Sequence, residues 1–186
     1  MKLKLDKIYN EISINFYIFS LQVGLVSSGD NLQMAEPFCG GSIITSSHIL
    51  TAAHCTFDSK IDDVKEPEAI QVLVGMHRTS NLSDVKRLGI SAITNHPKFN
   101  NNEGDYDFSI LTLKSPITPF PSPTAAPICL PPSISNQYTA VKSTVIGWGD
   151  TSSDGSPATV LQEAEITIIS NVQCEDKYPG KIERYL

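Results

Sequence analysis

Two short segments carry residues suited to proton transfer. Thr51-Ala52-Ala53-His54-Cys55 places a histidine between small residues and a cysteine, and Phe38-Cys39-Gly40-Gly41-Ser42 lies upstream of it. Histidine titrates closest to neutral pH, which makes it the commonest general base. Small neighbours let His54 be held against another chain segment. A disulfide between Cys39 and Cys55 would close a loop of about 16 residues and contribute about 3 kcal/mol in the chain-entropy account. It would also pin the backbone beside a base that must stay within hydrogen-bond reach of its partner. Taken alone, a histidine beside a cysteine reads more often as structural. Glu103, Asp105 and Asp107 are nearby carboxylates, and each alone also reads as a solvated turn residue.

The remaining cysteines, Cys129 and Cys174, are widely spaced, and the chain holds neither CxxC nor HExxH. A zinc site therefore has poor support. Four cysteines allow three pairings, and spacing does not choose among them. The chain reads either as a secreted, disulfide-bonded protein or as a cytosolic one with free buried thiols. Asn81-Leu82-Ser83 is a glycosylation sequon, which matters only in a secreted chain.

The elements that must position these residues are short. The 186 residues are 40 % hydrophobic and 18 % charged, enough for a sizeable core and unlike a disordered chain. No uninterrupted apolar stretch is long enough to span a bilayer. With 14 Lys+Arg against 20 Asp+Glu the net charge is −6, which argues against nucleic-acid binding. Runs rich in β-branched residues, separated by Gly, Pro, Asn, Asp and Ser, predict strands at Phe16–Val26, Gly41–Thr45, His48–Thr51, Ile70–Val74, Lys86–Thr94, Phe108–Leu113, Ala140–Gly147 and Gln162–Ile169. That is the pattern of an all-β sandwich or barrel. Ser170 can cap a short helix ending before Pro179-Gly180. Seven prolines between Ser115 and Ser133 predict an extended connector between two units. Residues 1–26, with a basic start and the apolar stretch Ile14–Val26, resemble a signal peptide only faintly, because Asp6, Asn10 and Glu11 interrupt the lead-in.

Read together, CGGSIITSSHILTAAHC (Cys39–Cys55), His96-Pro97-Lys98-Phe99, Asp107–Leu113, Pro127–Pro131 and Gly147-Trp148-Gly149 occur in one order, with Ser20–Val23 ahead of them. That ordered set, covering about Tyr17 to Tyr178, resembles the chymotrypsin/trypsin-like serine proteases. The resemblance implies an all-β fold of two six-stranded antiparallel barrels, the first nearly complete and the second truncated. It divides the chain into 1–16 outside the family pattern, 17–114 as the first barrel, 115–133 as the connector, and 134–186 as part of the second barrel with a helix near 170–178. It implies acyl transfer by a Ser-His-Asp triad, with His54 as base and Asp107 as the orienting carboxylate, because Asp107 directly precedes an apolar strand. It pairs Cys39 with Cys55 and leaves Cys129 and Cys174 unpaired within the chain.

No GDSGGP segment is present, so the resemblance implies that the catalytic serine is absent, together with its oxyanion-hole amides and pocket floor. Ser156, in Asp154-Gly155-Ser156-Pro157, lacks the order and the following glycine, and Ser42 falls on a strand. No IVGG-like start precedes Tyr17. The expectation is a fragment of a secreted endopeptidase, inactive as written and monomeric. Its partners would be a polypeptide substrate and protein protease inhibitors, with no nucleic acid and no membrane. No cofactor and no metal are expected. Met76 and Lys86 stand where calcium-binding relatives carry glutamates, and His48, His77 and His96 read as structural. The alternative is a non-catalytic homologue acting as a binding or regulatory module. Against it, such proteins usually keep both barrels and replace one triad residue.

Overall fold

The computed structural model describes residues 20–30, 36–132, 138–152 and 155–179. Its main body is a closed six-stranded barrel of β1 (Gln22–Ser27), β2 (Cys39–Thr45), β3 (His48–Thr51), β6 (Ile70–Val74), β7 (Lys86–Asn95) and β8 (Ser109–Leu113). The strands close in the order β1-β2-β3-β8-β7-β6. All six contacts are antiparallel, and β1 completes the ring by pairing Val23 with Val74.

Period-two alternation decides which side chains face in. Ser109, Leu111 and Leu113 of β8 are buried, whereas Ile110 is exposed. Ile70, Val72 and Val74 of β6 and Val23 and Leu25 of β1 join Ile43, Ile49, Ile90 and Leu111 in one interior cluster. Gly41 lets β2 and β3 approach. A Cβ there would sit 2.7 Å from Ile49 Cγ2.

A second cluster lies outside the barrel wall. Val26 and Leu73, from the outer faces of β1 and β6, pack with Met76, Trp148 and Leu161, and Leu82 and Val85 lie against them. The backbone is stitched across this seam. Thr79 N–H donates to the Thr159 carbonyl (3.0 Å), and Leu161 N–H to the His77 carbonyl (2.9 Å). Strands β1 and β6 are thus covered on both faces.

Beyond the seam, β9 (Lys142–Gly147) and β10 (Gln162–Thr167) form a two-stranded antiparallel sheet. It begins two residues later than the alternation suggests. Ala140 adopts φ +64°, and Val141 N–H closes a turn onto the Tyr138 carbonyl. Helix α2 (Asn171–Lys177) follows, capped by Ser170 and Gln173 in a reciprocal box. The expected strand start at Phe16 lies outside the described residues.

Three short features escaped the sequence reading, a 3₁₀ turn at Pro67–Ala69 among them. A one-turn helix, α1 (Ala53–Thr56), and a two-residue hairpin of β4 (Phe57–Asp58) with β5 (Asp63–Val64) follow β3. None is long enough to show a period. The proline-rich stretch does more than connect. Ile117 and Ala125 are buried in the barrel cluster with Phe120 against them, and Ile128 N–H donates to the Ile43 carbonyl (2.8 Å).

Candidate active site

The site is built where β3 ends and β8 begins, neighbouring strands of the barrel. Thr51 closes β3 and donates from Oγ1 to the Gly40 carbonyl (2.7 Å). The chain then turns into α1, which carries His54 and Cys55. Three attachments hold that single turn in place. Cys55 is bonded to Cys39 at the start of β2. The Thr56 hydroxyl donates to Asn95 Oδ1 at the end of β7 (2.7 Å) and shares its proton with the Ala53 carbonyl (2.9 Å). Lys65 Nζ donates to the Cys55 carbonyl (3.0 Å). A four-residue helix has almost no stability of its own, so these bonds substitute for length.

Asp107 stands just before β8. Tyr106 adopts φ +53°, and Phe108 N–H bends back to its carbonyl (2.7 Å). The Tyr106 ring stacks on His96 with centroids 4.7 Å apart and planes 5° from parallel, and Lys98 Nζ lies 5.5 Å from the same ring. His96 N–H also donates to the Phe108 carbonyl (2.8 Å). These contacts fix the tight turn that presents the Asp107 carboxylate. Tyr106 was missed in the sequence, and His96 was read as part of the His96–Phe99 motif and as structural, without its ring partner. A bulky residue forced to positive φ leaves no local sequence signal.

The two halves meet through one carboxylate. Asp107 Oδ1 accepts the His54 backbone N–H (2.8 Å), and Oδ2 lies 2.7 Å from His54 Nδ1. A carboxylate facing Nδ1 keeps the proton there, so Nε2 carries the lone pair. Nε2 lies 3.5 Å from Cys55 Sγ. The His54 side chain is 59 % exposed and that of Asp107 is 30 % exposed, so the base faces outward over a partly covered anion. This geometry can accept a proton at Nε2 and stabilise the resulting imidazolium at Nδ1.

Glu103 and Asp105, the rival carboxylates, belong to a separate turn in which Asn100 N–H donates to the Asp105 carbonyl (3.1 Å) and Asn100 Nδ2 to Glu103 Oε2 (3.1 Å). Ser42 lies within β2, and Ser156 is exposed in the loop between Trp148 and Ala158. Cys129 is exposed and Cys174 half-buried, both free among the described residues. Cys39, His54 and Cys55 bring three potential ligand atoms within 4.8 Å of one another. Two of them are bonded to each other, and a disulfide sulfur is not the thiolate a metal requires. Met76 is buried in the outer cluster, and its side chain has no oxygen for a hard cation.

The described residues thus hold one closed antiparallel barrel with an Asp-oriented imidazole at its rim. The family model described as Trypsin matches residues 15–186, and the chain belongs to that family. It is 36 % identical over 146 residues to the Bos taurus "Suppressor of tumorigenicity 14 protein homolog", covering 77 % of this chain and 17 % of that protein. It is 33 % identical over 154 residues to Sus scrofa "Trypsin" (82 % and 61 %) and 32 % over 143 residues to Astacus astacus "Trypsin-1" (76 % and 57 %). The matched region is thus less than two thirds of each relative. Among the described residues, no helix is long and apolar enough to cross a membrane.

Proposed function

We propose that this chain carries the base half of a serine endopeptidase site. His54 and Asp107 would serve peptide-bond hydrolysis through a Ser-His-Asp triad. The observation behind this reading is Asp107, whose two oxygens engage the ring and the backbone of the same histidine. In the reaction, His54 Nε2 takes the serine proton as the serine oxygen attacks the scissile carbonyl. It later returns that proton to the leaving amine. Asp107 keeps the Nδ1 proton in place and stabilises the imidazolium. The serine and the oxyanion-hole amides belong to a GDSGGP segment that the 186 residues do not contain. These residues alone are therefore inactive on this reading, and a serine-bearing form is the endopeptidase.

The same reading takes 17–114 as the first barrel, 115–133 as the inter-barrel segment and 134–186 as part of the second. It gives the protein polypeptide substrates, protein inhibitors as further partners, and a monomeric state. It places the protein outside the cell, in keeping with the Cys39–Cys55 bond. The binding-module alternative is the less favoured reading, because both His54 and Asp107 are present and joined.

Sequencing the transcript past the codon for Leu186 asks whether a natural serine-bearing form exists, and a relative's segment can be fused to supply one. The form should cleave peptides, and His54→Ala should remove that activity. The 186-residue chain should show no protease-like turnover. A folded serine-bearing form that hydrolyses peptides equally well with and without His54 would overturn the assignment.

A further inference from the structure

The loop joining β6 to β7 carries a feature that the site does not use. Asn81-Leu82-Ser83 is the only N-x-S/T triplet in the chain, and it is folded as a compact outward turn. Leu82 points inward and lies against the outer cluster of Met76, Trp148 and Leu161. Its neighbours Asn81 and Ser83 are exposed. Ser83 Oγ donates to Asn81 Oδ1 (2.9 Å), and Ser83 N–H donates to the same oxygen (3.2 Å). Because two donors hold Oδ1, the carboxamide nitrogen Nδ2 occupies the other arm of the side chain. Asn81 N–H reaches the Arg78 carbonyl (3.3 Å), and Val85 N–H the Leu82 carbonyl (3.1 Å), which brace the turn on both sides.

We propose that Asn81 is an N-glycosylation site. The donor is a polyprenyl-diphosphate-linked oligosaccharide, delivered by an oligosaccharyltransferase of the secretory lumen. Asn81 Nδ2 forms a bond to the sugar anomeric carbon. The bond from that carbon to the diphosphate oxygen breaks, its electron pair leaves with the polyprenyl diphosphate, and Nδ2 gives up one proton. The hydroxyl two residues downstream, the element that makes the triplet an acceptor, is in contact with the carboxamide. The folded chain accommodates the product, because the exposed side chain points away from the anchor at Leu82. Glycosylation needs the lumen, so the site's use in nature rests on the extracellular reading above.

The test expresses the 186 residues behind a heterologous signal peptide in eukaryotic cells, with the protein isolated from its natural source alongside. Among secreted molecules of the fusion, peptide-N-glycosidase should produce one mobility step and convert residue 81 to Asp by mass spectrometry. Asn81→Gln and Ser83→Ala should each abolish the step, and Ser83→Thr should keep it. Secreted, disulfide-bonded fusion with an unmodified Asn81 would overturn the proposal. A modified fusion beside an Asn81 left unmodified in the protein isolated from its natural source would uphold the acceptor and overturn the extracellular reading.

Discussion

The barrel and the β9–β10 sheet are built from similar strands, yet their interiors differ. Every barrel strand contributes at least one fully buried residue, and neither β9 nor β10 has any. Both regions alternate, and both are antiparallel. What separates them is closure. Six strands returning on themselves give each inward side chain partners on every side, whereas two strands leave one face with little to pack against. The proposed catalytic pair is anchored to the closed region. The general point is that strand propensity supplies a surface, and ring closure turns it into an interior.

The most demanding test of that division asks whether the barrel rim sets the chemistry. In a serine-bearing form, Asp107→Asn should lower kcat by about 10⁴-fold, because the amide presents the wrong partner to Nδ1. Steady-state peptide hydrolysis would read this. A loss below tenfold would mean that the carboxylate is not positioning the base.

Next comes packing. Leu111→Ala, inside the ring, should cost about 2–5 kcal/mol. Ile146→Ala on half-buried β9 should cost about 1 kcal/mol or less. Paired urea titrations measure both, and equal losses would break the comparison. Replacing Cys39 and Cys55 together by Ser should cost about 3 kcal/mol, through the loop they close, again by denaturant titration.

The seam gives smaller effects. Trp148 is buried and donates from Nε1 to the His77 carbonyl (3.3 Å). Trp148→Phe should cost about 1–2 kcal/mol. It should also speed amide exchange in β9 and β10 more than in β3 and β8. Burial pushes the His77 imidazole below the usual histidine range, and the Arg78 charge adds to it. The unfolded chain then holds the proton more readily. The stability is full above the ordinary histidine pKa and is lost as pH falls through the lowered folded value. Tm should therefore drop modestly between about pH 7.5 and about pH 5, and His77→Gln should flatten that slope.

The sequence made part of this legible. Regular alternation marked the barrel strands, and the order of short motifs pointed to His54 and Asp107 as partners. Other features were set by contacts distant in sequence. α1 is a single turn held from β2, β7 and Lys65, so no periodicity announces it. β8 begins at Ser109 rather than Phe108 because the Tyr106 turn consumes the preceding residues. The pairing of 77–79 with 159–161 joins two unremarkable loops some 80 residues apart. Nothing local distinguishes such loops from solvated ones. The prolines of 115–133 pointed to an extended connector, but could not show the turn closed by Ser122 and Ala125 or the burial of Ile117 and Ala125 in the barrel cluster.

The bonds around His54 also divide two jobs that are easily confused. The Cys39–Cys55 link restrains the chain, while Asp107 supplies the hydrogen bond at ring Nδ1. In a reducing environment, then, the loss would fall on the fraction of molecules that stay folded. Each molecule still folded would keep the Asp107 contact at Nδ1. Redox stress on this protein would change its abundance and lifetime, and would also free a thiol 3.5 Å from Nε2.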